Sequence, residues 1–117
     1  MSSMLRLAPG STIGILGGGQ LGRMLALAAA QLGLKAHIFA PERDSPAFDV
    51  AVARTCAEYR DEAALTAFAQ SVHAVTYEFE NVPVETVSFI DDLVPVRPNA
   101  HALATAQDRL KEKSLAR

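Results

Sequence analysis

Short apolar runs and helix-like stretches alternate along this chain. Thr12 to Leu16 (TIGIL) is apolar with β-branched residues, the pattern of a buried strand, and a run of glycines separates it from a helix-like stretch. From Gln20 to Leu32, Leu21, Leu25, Ala28 and Leu32 fall at helical spacing and predict a stripe packed inward, with Gly33 as its left-handed C-terminal cap. Lys35 to Ala40 (KAHIFA) reads as a second strand stopped by Pro41, and Glu42 to Pro46 as a polar loop. A short third strand is expected within Val50 to Ala57, where Ala51, Ala53 and Ala57 carry little packing information. Asp61 predicts the N-cap of a helix through Ser71, with Ala64, Leu65, Phe68 and Val72 inside. Val72 to Phe79 (VHAVTYEF) is the fourth expected strand. Pro83 suits the first turn of a helix reaching about Ile90, and Leu93 to Val96 makes a fifth strand.

Strands alternating with helices at these intervals predict an α/β fold: one Rossmann-like, doubly wound parallel sheet of order 3-2-1-4-5 in a single domain. Residues 1–11 read as an irregular lead-in, 12–98 as the domain, and 99–117 as a helical continuation rich in Ala, Leu and Lys. With 117 residues, 50% of them hydrophobic and 21% charged, the chain has the composition of an ordinary globular domain. A net charge of -2 offers no general attraction to nucleic acid or an anionic membrane, so a bound anion needs a local site. No apolar run is long enough to span a bilayer, and a cytoplasmic location is expected. Cys56 has no second cysteine to pair with, and His37, His73 and His101 lack ligand-like spacing, so no metal site is expected.

Three stretches carry candidate chemistry. Gly17, Gly19 and Gly22 match G-x-G-x-x-G between a strand and a helix, where bare backbone and the first-turn N–H groups favour a phosphate. The plainer alternative is a tight turn packed on the sheet. Glu42, after the second strand, keeps open a nicotinamide-binding reading in which it accepts from a ribose hydroxyl. Tyr77-Glu78-Phe79-Glu80-Asn81-Val82-Pro83 stands at the carboxyl end of the fourth strand, beside the glycine turn if the order holds. Alternation puts Glu78 and Glu80 on one side and Tyr77 and Phe79 on the other. Glu78 is the better candidate, while Glu80 reads as a surface charge. The implied ligand has an anionic end for the turn amides and a donor-rich end for the acid. Gln107 to Lys113 reads as a solvated helix face, and Arg23 as lying either on the ligand side or on a subunit contact.

Together, GGGQLGRM, Ser45-Pro46-Ala47, TYEFENVP and AQDRLKEK resemble the N-terminal region of the 5-carboxyaminoimidazole ribonucleotide synthetases, ATP-grasp enzymes of purine biosynthesis. The resemblance implies a pre-ATP-grasp domain of a ligase that joins bicarbonate to 5-aminoimidazole ribonucleotide at the expense of ATP, with Mg2+ on the nucleotide. It implies substrate-binding positions at Gln20, Leu21 and Glu78, beside Gly17, Gly19 and Gly22, and a nucleotide-binding role for Arg109. It further implies a homodimer at full length. Family members continue past the position of Arg117 into the ATP-grasp and C-terminal domains, so catalysis and Mg2+ are expected outside this stretch.

Overall fold

A computed structural model describes residues 7–78 and 80–98. The element order is β1 (Thr12–Leu16), α1 (Gln20–Gln31), β2 (Lys35–Ala40), a 3-10 turn (Pro46–Val50), β3 (Ala53–Cys56), α2 (Glu62–Gln70), β4 (Ala74–Tyr77) and α3 (Val84–Asp91). The strands form one parallel sheet in the order β3-β2-β1-β4. Register places Ile15 opposite both Ile38 and Thr76, so the ends of β1, β2 and β4 open on one edge. The expected fifth strand is reduced to a single parallel bridge, Val75 to Val96. The fourth strand is also shorter than expected, ending at Tyr77, so Glu80 lies in a turn rather than continuing the alternation. Phe79, Arg109, His101 and the expected helical stretch 99–117 lie outside the described residues.

Two apolar layers sandwich the sheet. On one face Leu16, Phe39, Val75 and Tyr77 pack against Leu65 and Phe68 of α2 and Val87 and Ile90 of α3. On the other, Ile15, Ala36, Ile38 and Ala40 meet Ala26 of α1 and Ala47 and Phe48 of the 3-10 turn. Asp61 caps α2 as expected, its carboxylate accepting from Ala64 N at 3.0 Å. Pro83 sits one position outside α3, as its N-cap. Gly33 closes α1 at φ 79°.

Of the stripe expected on α1, only Leu25 packs against the core, and it is half-buried. The buried residues are Gly22, Ala26 and Ala29, while Leu21 and Leu32 are 43% and 67% exposed. Small side chains let the helix lie close to the alanines of β2 and the 3-10 turn, which turns its leucines to the flanks. Leucine periodicity identified the helix correctly, but of its inner face it caught only Leu25.

His37 is a structural histidine. Its Nε2 lies 2.7 Å from Thr55 Oγ1, its Nδ1 lies 3.0 Å from Ser71 Oγ, and the Ser71 hydroxyl donates to Phe68 O. With that hydroxyl proton committed, Nδ1 donates to Ser71 and Nε2 accepts from Thr55, the neutral tautomer. Burial lowers the His37 pKa below the ordinary 6.5. The unfolded chain therefore takes up the proton first: the stability His37 contributes is whole above about pH 6.5 and is lost as pH falls through the lower folded value. His37→Gln is expected to flatten the fall in melting temperature between about pH 7 and about pH 5. An unchanged slope in that variant would refute this.

Candidate functional site

Glu78 leaves β4 with its N–H still on Leu16 O at 2.9 Å, and the chain then turns, Asn81 N donating to Glu78 O. The side chain crosses the end of β1 into the glycine turn. Oε2 accepts from Gly22 N at 2.9 Å and Oε1 from Gly19 N at a longer 3.4 Å, and the residue is only 4% exposed. The glycines are shaped around this carboxylate: Gly17 has φ 125°, and a Cβ there would stand 2.3 Å from Glu78 Oε1. Gly19 N-caps α1 with no side chain to accept from the first turn, so Glu78 supplies a negative charge at the helix N-terminus from across the sheet.

This changes the expected division of labour. The acid and the turn meet directly: Glu78 accepts from Gly22 N and Gly19 N, so the two candidate ends of the site are joined to each other. Among the described residues, the first-turn amides of Gln20 and Leu21 have no hydrogen-bond acceptor and remain open for an anion.

Beside the pair lies a two-part cleft. One cavity of about 340 Å³ is lined by Gly18, Gly19, Glu42, Tyr59, Glu78 and Asn81. An adjoining one of about 570 Å³ shares Gly18, Gly19 and Glu42 and runs along Arg43 to Pro46. Its wall is pinned to the glycine turn by Ala47 N donating to Gly18 O at 2.9 Å, while the Ser45 hydroxyl donates to Glu42 O at 2.7 Å. The Tyr59 ring stacks on Phe39 with centroids 6.0 Å apart. Burial first, then the charges of Glu78 and Glu42, raise the Tyr59 pKa above its ordinary range, so the phenol keeps its proton.

The structure therefore brings together Gly17, Gly19, Gln20, Leu21, Gly22 and Glu78 at one edge, the crevice where doubly wound sheets take ligands. Glu80 and Arg23 are exposed and line neither cavity. Tyr59 and Asn81 were not singled out from the sequence. Tyr59 follows the end of β3, and the rule that ligands gather beyond strand ends, applied to that strand as well, would have found it. Among the described residues no cluster of three or more potential metal-binding side chains occurs, and no helix is long and apolar enough to cross a membrane.

Residues 10–107 match the family model of the ribonucleotide synthetase preATP-grasp domain. The chain belongs to that family. It is 55% identical over 112 residues to the bifunctional purine synthesis protein purC/E of Dictyostelium discoideum, covering 96% of this chain and 11% of that protein. Among solved structures, N5-carboxyaminoimidazole ribonucleotide synthetase from Thermus thermophilus superposes with a TM-score of 0.78 at 50% identity, covering 88% of this chain and 28% of that one. The Aspergillus clavatus N5-carboxyaminoimidazole synthase, solved with ADP and 5-aminoimidazole ribonucleotide, superposes at 0.75 with 27% identity, covering 91% and 28%. The chain thus spans less than a third of these relatives. A preATP-grasp domain is not a nicotinamide-binding one, and the oxidoreductase reading of Glu42 is set aside even though Glu42 does face the glycine turn.

Proposed function

We propose that this preATP-grasp domain is the ribonucleotide-binding part of an ATP-dependent carboxylating ligase of purine biosynthesis. The overall reaction converts 5-aminoimidazole ribonucleotide, bicarbonate and ATP to 5-carboxyaminoimidazole ribonucleotide, ADP and phosphate. A bicarbonate oxygen attacks the γ-phosphorus and ADP leaves; the exocyclic amine then attacks the carboxyphosphate carbon and phosphate leaves. The observation that carries the reading is the open cleft at the sheet edge, where the free Gln20 and Leu21 amides lie next to an acceptor-lined cavity. Such a site suits a ligand with a phosphate and several hydroxyl or amine donors.

Within this chain the residues bind and orient. Glu78 holds the glycine turn in the shape that presents the helix amides, and its carboxylate edge also lines the cavity. The described residues offer no carboxylate cluster for Mg2+, so that ion and the phosphoryl transfer are assigned to the ATP-grasp portion, with Arg109 contributing to the nucleotide side. A cytoplasmic homodimer is the proposed assembly of the full-length enzyme.

The test joins this chain in frame to the ATP-grasp and C-terminal portions of the Thermus thermophilus relative. The chimera is expected to release ADP only when bicarbonate and 5-aminoimidazole ribonucleotide are both present, and the 117-residue chain alone to release none. A folded chimera with no such release would refute the proposal. Turnover by the isolated chain would refute the division of labour.

A further inference from the structure

The smaller cavity takes its lining from the ends of all four strands: Gly18 and Gly19 after β1, Glu42 after β2, Tyr59 after β3, and Glu78 and Asn81 after β4. The buried polar side chains among the described residues are His37, Ser45, Glu78 and Thr86. His37 bonds to Thr55 and Ser71, and Glu78 holds the glycine turn. The other two are hydroxyls, and each donates to the main chain of a cavity-lining residue. Ser45 Oγ donates to Glu42 O at 2.7 Å, and Thr86 Oγ1 donates to Tyr59 O at 2.7 Å. The bond from Thr86 spans 27 residues and ties the loop after β3 to the first turn of α3. Thr86 itself lines neither part of the cleft, and Ser45 lines only the adjoining part.

Resting on the ribonucleotide-binding reading, we infer that Thr86 and Ser45 are positioning residues: their hydroxyls fix the loops after β3 and β2 as walls of the cleft, so that the ligand meets a preformed site. A loop that a ligand has to order weakens binding by the entropy it loses, and a bond made in advance removes that cost. Tyr59 is held in this way at two points, its ring stacked on Phe39 of the sheet and its carbonyl held by α3. The neighbouring Arg60 also pairs with Glu85 of α3 at 3.3 Å, but those side chains are 72% and 68% exposed, and a solvated pair contributes little. The buried hydroxyl is the effective brace. Ser45 does the equivalent for Glu42. Its side chain fills the space that a Cβ on Gly18 would need, and Ala47 N donates to Gly18 O beside it, so the loop after β2 interlocks with the glycine turn.

The test measures initial rates of the chimera with the Thermus thermophilus ATP-grasp and C-terminal portions. Thr86→Val, which keeps the shape and removes the hydroxyl, is expected to raise the KM for 5-aminoimidazole ribonucleotide about tenfold while kcat and the KM for ATP stay as they are. Ser45→Ala is expected to act in the same direction. Thr86→Ser restores the hydroxyl and should return the KM to within about twofold of wild type. Arg60→Ala is expected to change none of these constants. Amide hydrogen exchange of the 117-residue chain gives an independent readout. Thr86→Val should quicken exchange at Ala57 and Asp61, and Ser45→Ala at Ala47, by more than at the amides of β1 and β2, which report global unfolding. A fall in kcat with KM unmoved, no rescue by Thr86→Ser, an equal KM rise from Arg60→Ala, or exchange quickened evenly through the domain would overturn the inference. An active chimera whose KM ignores both hydroxyls sinks this inference alone. A folded but inactive chimera that still binds 5-aminoimidazole ribonucleotide by calorimetry, and more weakly as Thr86→Val, sinks the ligase reading alone; one that neither reacts nor binds sinks both.

Discussion

Glu78→Ala is expected to cost the isolated domain about 2 kcal/mol, because two amides of the glycine turn then lose a charged acceptor, the bond to Gly22 N being buried. Gly22 N and Gly19 N are those amides, and the residue they lose is 4% exposed. Relief from holding a buried carboxylate offsets part of the loss, since burying that charge was itself unfavourable. Glu78→Gln keeps one acceptor oxygen but turns an NH2 group towards a donor, so it should fall between alanine and wild type. Urea unfolding measures all three. An alanine variant within about 0.5 kcal/mol of wild type would show that the turn holds itself. In the chimera, both variants should also lose affinity for 5-aminoimidazole ribonucleotide, since the turn that presents the Gln20 and Leu21 amides is no longer held.

Gly22→Ala is the second large effect, and its sign is the informative part. On helix propensity alone the change should stabilise by about 1 kcal/mol. A Cβ at this position, however, would stand 2.3 Å from the carbonyl oxygen of Gly17 and 3.5 Å from Ala47 Cβ. The nearest obstacle is backbone and has no rotamer by which to move aside, so α1 must lift from the turn and stretch the bond from Gly22 N to Glu78. The expected net result is a loss of about 2 kcal/mol, overpacking outweighing propensity. Denaturant unfolding decides it: a more stable variant would mean that the helix start tolerates displacement and that the close packing has little energetic weight.

Much of the sheet could be read from the chain because β1 and β2 are continuous apolar runs bounded by Gly or Pro, and the turn between β1 and α1 announces itself in three glycines. Asp61 and Gly33 signal helix ends through local chemistry that needs no knowledge of the rest of the fold. What stayed hidden depends on distance along the chain. The partner of the glycine turn is a side chain 56 residues away, and no local pattern distinguishes a ligand's phosphate from the protein's own carboxylate at the same amides. The inner face of α1 was misread for a related reason: leucines signal burial on average, but a helix lying close to alanines of β2 buries its smallest residues instead. Tyr59 escaped notice because β3, with the burial of an edge strand, gave little reason to look beyond its end.

The bond between Glu78 and the start of α1 also bears on the order in which the domain is assembled. A growing chain that has reached only α2 has β1, the glycines and α1 in hand, yet the counter-charge for that helix is still to be synthesised. Closing so long a loop costs conformational entropy, which the pairing of β4 with β1 shares, because Glu78 directly follows β4. An N-terminal piece that stops before β4 therefore lacks the counter-charge of its own glycine turn.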